Sequence, residues 1–187
     1  MHRNVEVTQL PLRGVTDFED EEYHEYVRSA LPALRRLAYV LCQDGHRADD
    51  LVQNTLVKLY LSWAKVRVAQ SRAAYTRTIL VRTFVSERRA GWARRVVLVD
   101  RVPEHASAPG PDPAATLALR AALATLPAKQ RATLVLRYYA DLSVDETAEA
   151  LGVPANTVKS HTARGIAALR RTLPDETTTP SPNRSGR

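Results

Sequence analysis

Four prolines, Pro103, Pro109, Pro111 and Pro113, fall in one stretch without helical period, residues 96–113, and long segments with helical spacing lie on either side of it. Proline lacks a backbone donor and clashes with the preceding turn, so 18 residues carrying four of them interrupt any helix. Strict alternation of apolar and polar residues is nearly absent, and glycine is scarce at seven residues in 187. The pattern predicts an all-α protein: two small helical domains joined by a flexible linker. A chain of this length excludes a large multidomain enzyme.

Residues 1–21 lack periodicity and end in the acidic run Asp17, Glu19, Asp20, Glu21 and Glu22, which reads as a solvated N-terminal arm leading into a helix. The first domain, 22–95, opens with a helix over 22–42. Its stripe is Tyr23, Tyr26, Val27, Leu31, Leu34, Leu37, Ala38 and Leu41, and Pro32 is expected to kink or divide it. Asp44-Gly45 punctuates the pattern. A second helix over 49–63 buries Val52, Leu56, Leu59 and Trp63 and leaves Asp49, Asp50, Gln53, Asn54 and Lys58 for another surface. Residues 64–72 read as a connection and 73–89 as a third helix, in which Phe84 suits a core better than a stacking platform. The second domain, 114–173, has Leu117, Leu119, Leu123, Leu126, Leu134, Val135, Leu136, Tyr138 and Tyr139 available for a core. Residues 174–187 are polar and proline-bearing and read as a disordered tail.

Charge narrows the partner. Lys and Arg number 27 against 20 Asp and Glu, a formal net charge of +7, which favours a polyanion. Between residues 72 and 101 there are eight arginines and two acids. Such density neutralises several phosphates and makes binding salt-sensitive. Aromatic residues Tyr75, Phe84 and Trp92 are interleaved with these arginines. No segment is apolar enough for a membrane span or a secretory signal. The single cysteine, Cys42, has no internal partner and lies on an apolar face, so a reducing cytoplasm is the expected compartment.

Residues 141–173 have the order of a helix-turn-helix. Ser143 with Glu146 three residues on forms a capping box, a short helix follows over 144–151, and Gly152 permits a left-handed turn. Val153-Pro154 leads into a second helix. There Val158, Thr162, Ile166, Leu169 and Leu173 line one side, turning Lys159, Ser160, Ala163, Arg164 and Arg170 outward. Small residues allow close approach to a major groove, and Lys and Arg meet phosphates or guanine edges. A basic amphipathic helix in a generic bundle is the plainer reading of the second helix alone.

Residues 126–173, containing LPAKQRATLVLRYY and LGVPANTVKSHTARGIAALRR, resemble sigma region four. HRADDLVQNTLVKLYLSW followed by RAAYTRTILVRTFVSERR resembles sigma region two. Both are regions of extracytoplasmic-function (group 4) RNA polymerase sigma factors, and the similarity is to the short actinobacterial SigE-like subgroup. The resemblance implies no catalytic activity, metal or cofactor. It implies core RNA polymerase and promoter DNA as partners, with an anti-sigma factor as a candidate regulator. Region two is then expected to bind the beta-prime clamp helices through Asp49, Asp50, Gln53 and Asn54, where Asn54 replaces a usual acid. It is also expected to meet the minus-ten element through Arg72, Tyr75, Arg77, Arg82, Arg88 and Arg89, with Arg82 standing where many members have Asn. Region four implies minus-thirty-five contacts at Thr157, Lys159, Ser160, His161 and Arg164, and a contact with the beta flap. His161 occupies a common Arg position, and its protonation near pH 6.5 restores a charge there.

Fully extended, the 18-residue linker spans about 60 Å, whereas as a coil it averages ~23 Å. Promoter elements one and a half to two DNA turns apart are separated by roughly 50 to 65 Å. A polymerase scaffold is therefore expected to hold the two readers apart. Two other readings stay open on sequence alone. One is a two-domain helix-turn-helix repressor or activator that acts without polymerase docking. The other is an enzyme using His46, Asp49 and Asp50 as a metal cluster, for which no further ligand set appears.

Overall fold

A computed structural model describes residues 17–91 and 113–173. The elements are α1 (Asp17–Cys42), α2 (Gly45–Leu61), α3 (Trp63–Val66), α4 (Arg72–Gly91), α5 (Pro113–Thr125), α6 (Ala128–Leu134), a π-helical turn (Val135–Tyr139), α7 (Val144–Leu151) and α8 (Ala155–Thr172). Among the described residues there is no strand. The expected linker lies almost wholly outside the described residues, as do the tail and the first 16 positions.

Helix α1 begins at Asp17, so the whole acidic run is helical instead of belonging to an arm. Acidic side chains suit the positive end of a helix dipole, which favours continuing the helix backwards through them. Pro32 lies within this 26-residue helix without dividing it. Helix α3 takes Trp63 from the end of the expected second helix and residues 64–66 of the expected connection. Asp44 caps α2, its carboxylate accepting from the Arg47 amide at 2.9 Å.

The core explains why these helices stay together. Leu34, Leu37, Ala38, Leu41, Leu51, Val52, Leu80, Val81 and Phe84 from the first half form one buried cluster with Ala132, Val135, Leu136, Leu142 and Ala150 from the second. Periodicity predicts a core for each domain, but the two halves share this one. Cys42 is buried in it as a packed thiol. A second cluster, Tyr23, Leu59, Trp63 and Val66, closes the other end of α1, α2 and α3. Tyr23 meets Trp63 edge-on at 5.4 Å, and its hydroxyl donates to the Leu56 carbonyl at 3.0 Å.

Arg131 is the buried cation of the core. Its guanidinium donates to the carbonyls of Leu41 (2.9 Å), Ala124 (2.6 Å) and Leu126 (3.2 Å) and lies near the Phe84 ring. The contact to Leu41 crosses between the halves at the C-terminus of α1, where carbonyls lack helical partners. Burial of a charge is tolerated here because several acceptors converge on it.

The π-helical turn alters the register after Leu134. Val135 and Leu136 remain buried, but Tyr138 and Tyr139 are 63% and 51% exposed, contrary to their expected place in the core. A π turn inserts an extra residue relative to the α period, so positions beyond it rotate off the buried stripe. Leu117 and Leu119 of α5 are exposed as well.

Candidate polymerase and nucleic-acid surfaces

In the second half, the expected helix-turn-helix is formed. Ser143 Oγ accepts from the Glu146 amide at 3.1 Å, and the Ser143 amide donates to Glu146 Oε2 at 2.7 Å. These bonds hold the Glu146 carboxyl below the usual carboxylate range. Helix α7 ends at Gly152 with φ 65°, a left-handed conformation in which a β-carbon costs about 1 kcal/mol. The capping amides of this turn reach back to Ala148 and Glu149.

Helix α8 follows, with Val158 and Gly165 buried and Lys159, Ser160, Ala163, Arg164 and Arg170 exposed. Its first turn bears no acid, so the positive helix end is unopposed by nearby carboxylates of its own. Thr157 is half-buried at that end. Gly165 packs on α6: a β-carbon there stands 2.9 Å from Leu134 Cδ1 and 3.1 Å from Leu134 Cγ. Periodicity marks Gly165 as nothing special, yet it sets the approach of α8 to α6.

His161 differs from its neighbours. It is half-buried, with Nδ1 shut away from solvent. Burial lowers its pKa below the ordinary histidine value, and Lys129 of α6 and Arg164 lower it further. Protonation near pH 6.5 is therefore disfavoured, and the His161 ring is neutral at neutral pH. As pH falls, the unfolded chain takes up this proton first. Its stabilising contribution is present above the unfolded value near 6.5 and declines as pH drops below it. Urea unfolding of the parent chain should thus lose more stability between pH 7.5 and 5.5 than His161→Gln does, and equal losses contradict this assignment.

In the first half, α2 displays Asp49, Asp50, Gln53 and Asn54 together on an exposed face. Val57 and Leu61 continue that face, 60% and 78% exposed. Val57 follows Gln53 and Asn54 by four and three residues and Leu61 follows Val57 by four, the spacing that puts them on one helical face. Asn54 Nδ2 donates to Glu87 Oε1 of α4 at 2.8 Å. A carboxylate thereby stands beside the position where sequence comparison leaves an acid missing. Lys58 donates to Thr83 at 3.0 Å, fixing the same two helices together.

The arginines of α4 are less available than their density suggests. Arg72 bonds Glu22 at 2.7 Å and the Arg67 carbonyl at 3.2 Å, and it lies over the Trp63 ring at 5.6 Å. It braces the start of α4 against α1 and α3. Tyr75 is half-buried against the second cluster. Arg77 is half-buried, close enough to Glu146 to contribute to its lowered pKa. Arg82 donates from Nε to the Ala150 carbonyl at 3.0 Å and from Nη2 to the Glu149 carbonyl at 2.7 Å. Arg88 and Arg89 belong to the last two turns of α4.

The geometry defines a class first: a helical protein with a helix-turn-helix packed against a second helical unit that carries an exposed face of mixed polar and apolar residues. Residues 26–94 match the family described as Sigma-70 region 2, and residues 116–169 match Sigma-70, region 4. The RNA polymerase sigma-E factor of Streptomyces coelicolor is 36% identical over 157 residues, covering 81% of this chain and 86% of that protein. ECF RNA polymerase sigma factor SigL of Mycobacterium tuberculosis is 35% identical over 149 residues, covering 75% and 82% respectively. Among solved structures, the sigma factor RpoE in complex with the anti-sigma factor NepR from Bartonella quintana superposes with a TM-score of 0.66 at 27% identity. That alignment covers 82% of this chain and 97% of the other. The chain belongs to the extracytoplasmic-function RNA polymerase sigma factors, of the SigE-like type. It directs RNA polymerase to specific promoters in transcription initiation.

Among the described residues, no helix is long and apolar enough to cross a membrane.

Proposed function

We propose that this sigma factor divides its work between three surfaces. The α2 face of Asp49, Asp50, Gln53 and Asn54, extended by Val57 and Leu61, docks on the beta-prime clamp helices of core polymerase. Helix α4 and the residues before it meet the minus-ten element and assist its melting through Arg77, Arg82, Arg88 and Arg89, while Arg72 positions the helix. Helix α8 reads the minus-thirty-five element through Thr157, Lys159, Ser160 and Arg164, with His161 supporting its seat on α6. Region four also touches the beta flap. The protein has no catalytic role of its own, works in the cytoplasm and is a candidate target for an anti-sigma factor.

The observation that carries this reading is the exposure, on one α2 face, of acids next to two large apolar residues in a chain that also forms a helix-turn-helix. An apolar centre flanked by charge suits a protein interface more than a nucleic-acid groove, where carboxylates repel phosphate. Asp50→Arg should weaken binding to core polymerase by at least roughly tenfold while leaving thermal stability within about 0.5 kcal/mol, since Asp50 is exposed. Leu61→Glu tests the apolar end in the same titration. Unaltered core affinity in both variants removes α2 from the interface.

A further inference from the structure

Resting on the assignment of the α2 face to core polymerase, we infer that Glu87 of α4 belongs to that docking surface, and that Asn54 is the residue which positions it there. Helix α4 is otherwise without an acid in its 20 residues and carries five arginines. A carboxylate on a helix that meets phosphates repels them unless it is turned away. Spacing turns it away here. Leu80, Thr83 and Phe84 are buried, and Glu87 follows them by seven, four and three residues, so it prolongs the inner edge of α4 to the point where that edge reaches solvent. Two rungs join this edge to α2. Lys58 donates to Thr83 at 3.0 Å, and one turn away along each helix, in opposite directions, Asn54 Nδ2 donates to Glu87 Oε1 at 2.8 Å.

The second rung lies at the surface, where Asn54 and Glu87 are both exposed. Asn54 stands in one row of α2 with Asp50, one turn before it, and Val57 and Leu61, one and two turns after it. Glu87 therefore places a further carboxylate at the flank of the apolar end of that face. An ionised carboxylate accepts and does not donate, so the Asn54 amide presents its NH2 to Glu87. The bond holds the negative charge at the α2 edge and restricts the rotamers of a long side chain before any partner arrives, which lowers the ordering cost of binding. The partner surface that fits has an arginine or lysine facing this edge and apolar side chains against Val57 and Leu61.

The test is equilibrium binding of the full chain to core RNA polymerase at two salt concentrations, with thermal unfolding of each variant alongside. Glu87→Gln keeps an oxygen that accepts from Asn54, so the rung stays while the charge goes. It should weaken core binding about five- to tenfold at low salt, with a shallower salt dependence and an unchanged thermal midpoint. Asn54→Asp adds an acid to an acidic face, yet it sets two carboxylates against each other and should weaken core binding about threefold or more. Asn54→Asp/Glu87→Gln restores a donor opposite an acceptor and should bring affinity back to within about threefold of the parent's. Unchanged core affinity in Glu87→Gln overturns the proposal, as does a double variant no better than Asn54→Asp. A pair that only joined α2 to α4 would move the thermal midpoint and leave the salt dependence alone, and that outcome overturns it too. Holoenzyme assembled at saturating chain is then placed on promoter DNA. Glu87→Gln should match the parent there, whereas tighter promoter binding assigns the acid to the minus-ten side and contradicts the inference. Asp50→Arg and Leu61→Glu in the same core titration separate the two readings. If they weaken binding and Glu87→Gln does not, the inference alone fails; if none of the three does, the α2 assignment fails with it.

Discussion

Replacing Lys159 and Arg164 together by alanine is expected to weaken binding of the minus-thirty-five duplex between roughly tenfold and several hundredfold. Both side chains are exposed on the outer face of α8, and neither belongs to the buried set that joins this helix to α6. A phosphate contact contributes evenly across sequences, and its loss lowers the salt slope by about one per contact. A guanine contact is instead worth about 1 to 3 kcal/mol against the wrong base, so its loss flattens sequence preference. Binding isotherms at two salt concentrations, on the selected duplex and on one with a changed base pair, distinguish these roles. Affinity, slope and preference all equal to the parent's would remove α8 from DNA readout.

The second large effect is structural. Gly165→Val should destabilise region four by about 1 to 3 kcal/mol or more, the usual range for inserting methyl groups into a filled core. Leu134, the side chain it meets, is itself buried and has little room to yield. Gly165→Ala places only the β-carbon at 2.9 Å and should cost less, despite the higher intrinsic helix propensity of alanine. Thermal unfolding followed by circular dichroism gives the order parent, alanine, valine. A valine variant as stable as the parent would mean that α8 does not seat on Leu134 as described.

Where a function has a local chemical signature, the sequence discloses it. The box of Ser143 and Glu146, the turn at Gly152 and the outward set on α8 are all consequences of spacing within some 30 residues, and they stand in the structure as spacing implies. The exposed run of Asp49, Asp50, Gln53 and Asn54 is of the same kind. What spacing does not disclose is which charges are already engaged. Arg72 and Arg82 look alike as members of a basic helix, but one braces Trp63 and Glu22 and the other spans to α7, and both partners are distant in the chain. Arg131 lies in a segment whose apolar residues mark a core, and its own burial depends on carbonyls brought in by α1 and α5. The tyrosines after the π turn show the opposite error. Their apolar bulk fits a core by composition, and one added residue in the turn carries them out to solvent. The half-burial of His161 beside Lys129 is likewise a tertiary fact, and it holds the ring below the ordinary histidine value in a way that spacing along α8 does not disclose.

The central claim is that this chain gives core polymerase its promoter choice, and reconstituted run-off transcription addresses it most directly. Core RNA polymerase, this chain and promoters selected from the source genome are combined, with core alone as the control. The expected result is specific transcripts that appear only when the chain is present, and that fall with Asp50→Arg at limiting protein. A chain that binds core normally yet yields no transcript on those promoters, or that grips an operator duplex tightly by itself and gives no polymerase-dependent initiation, contradicts the account.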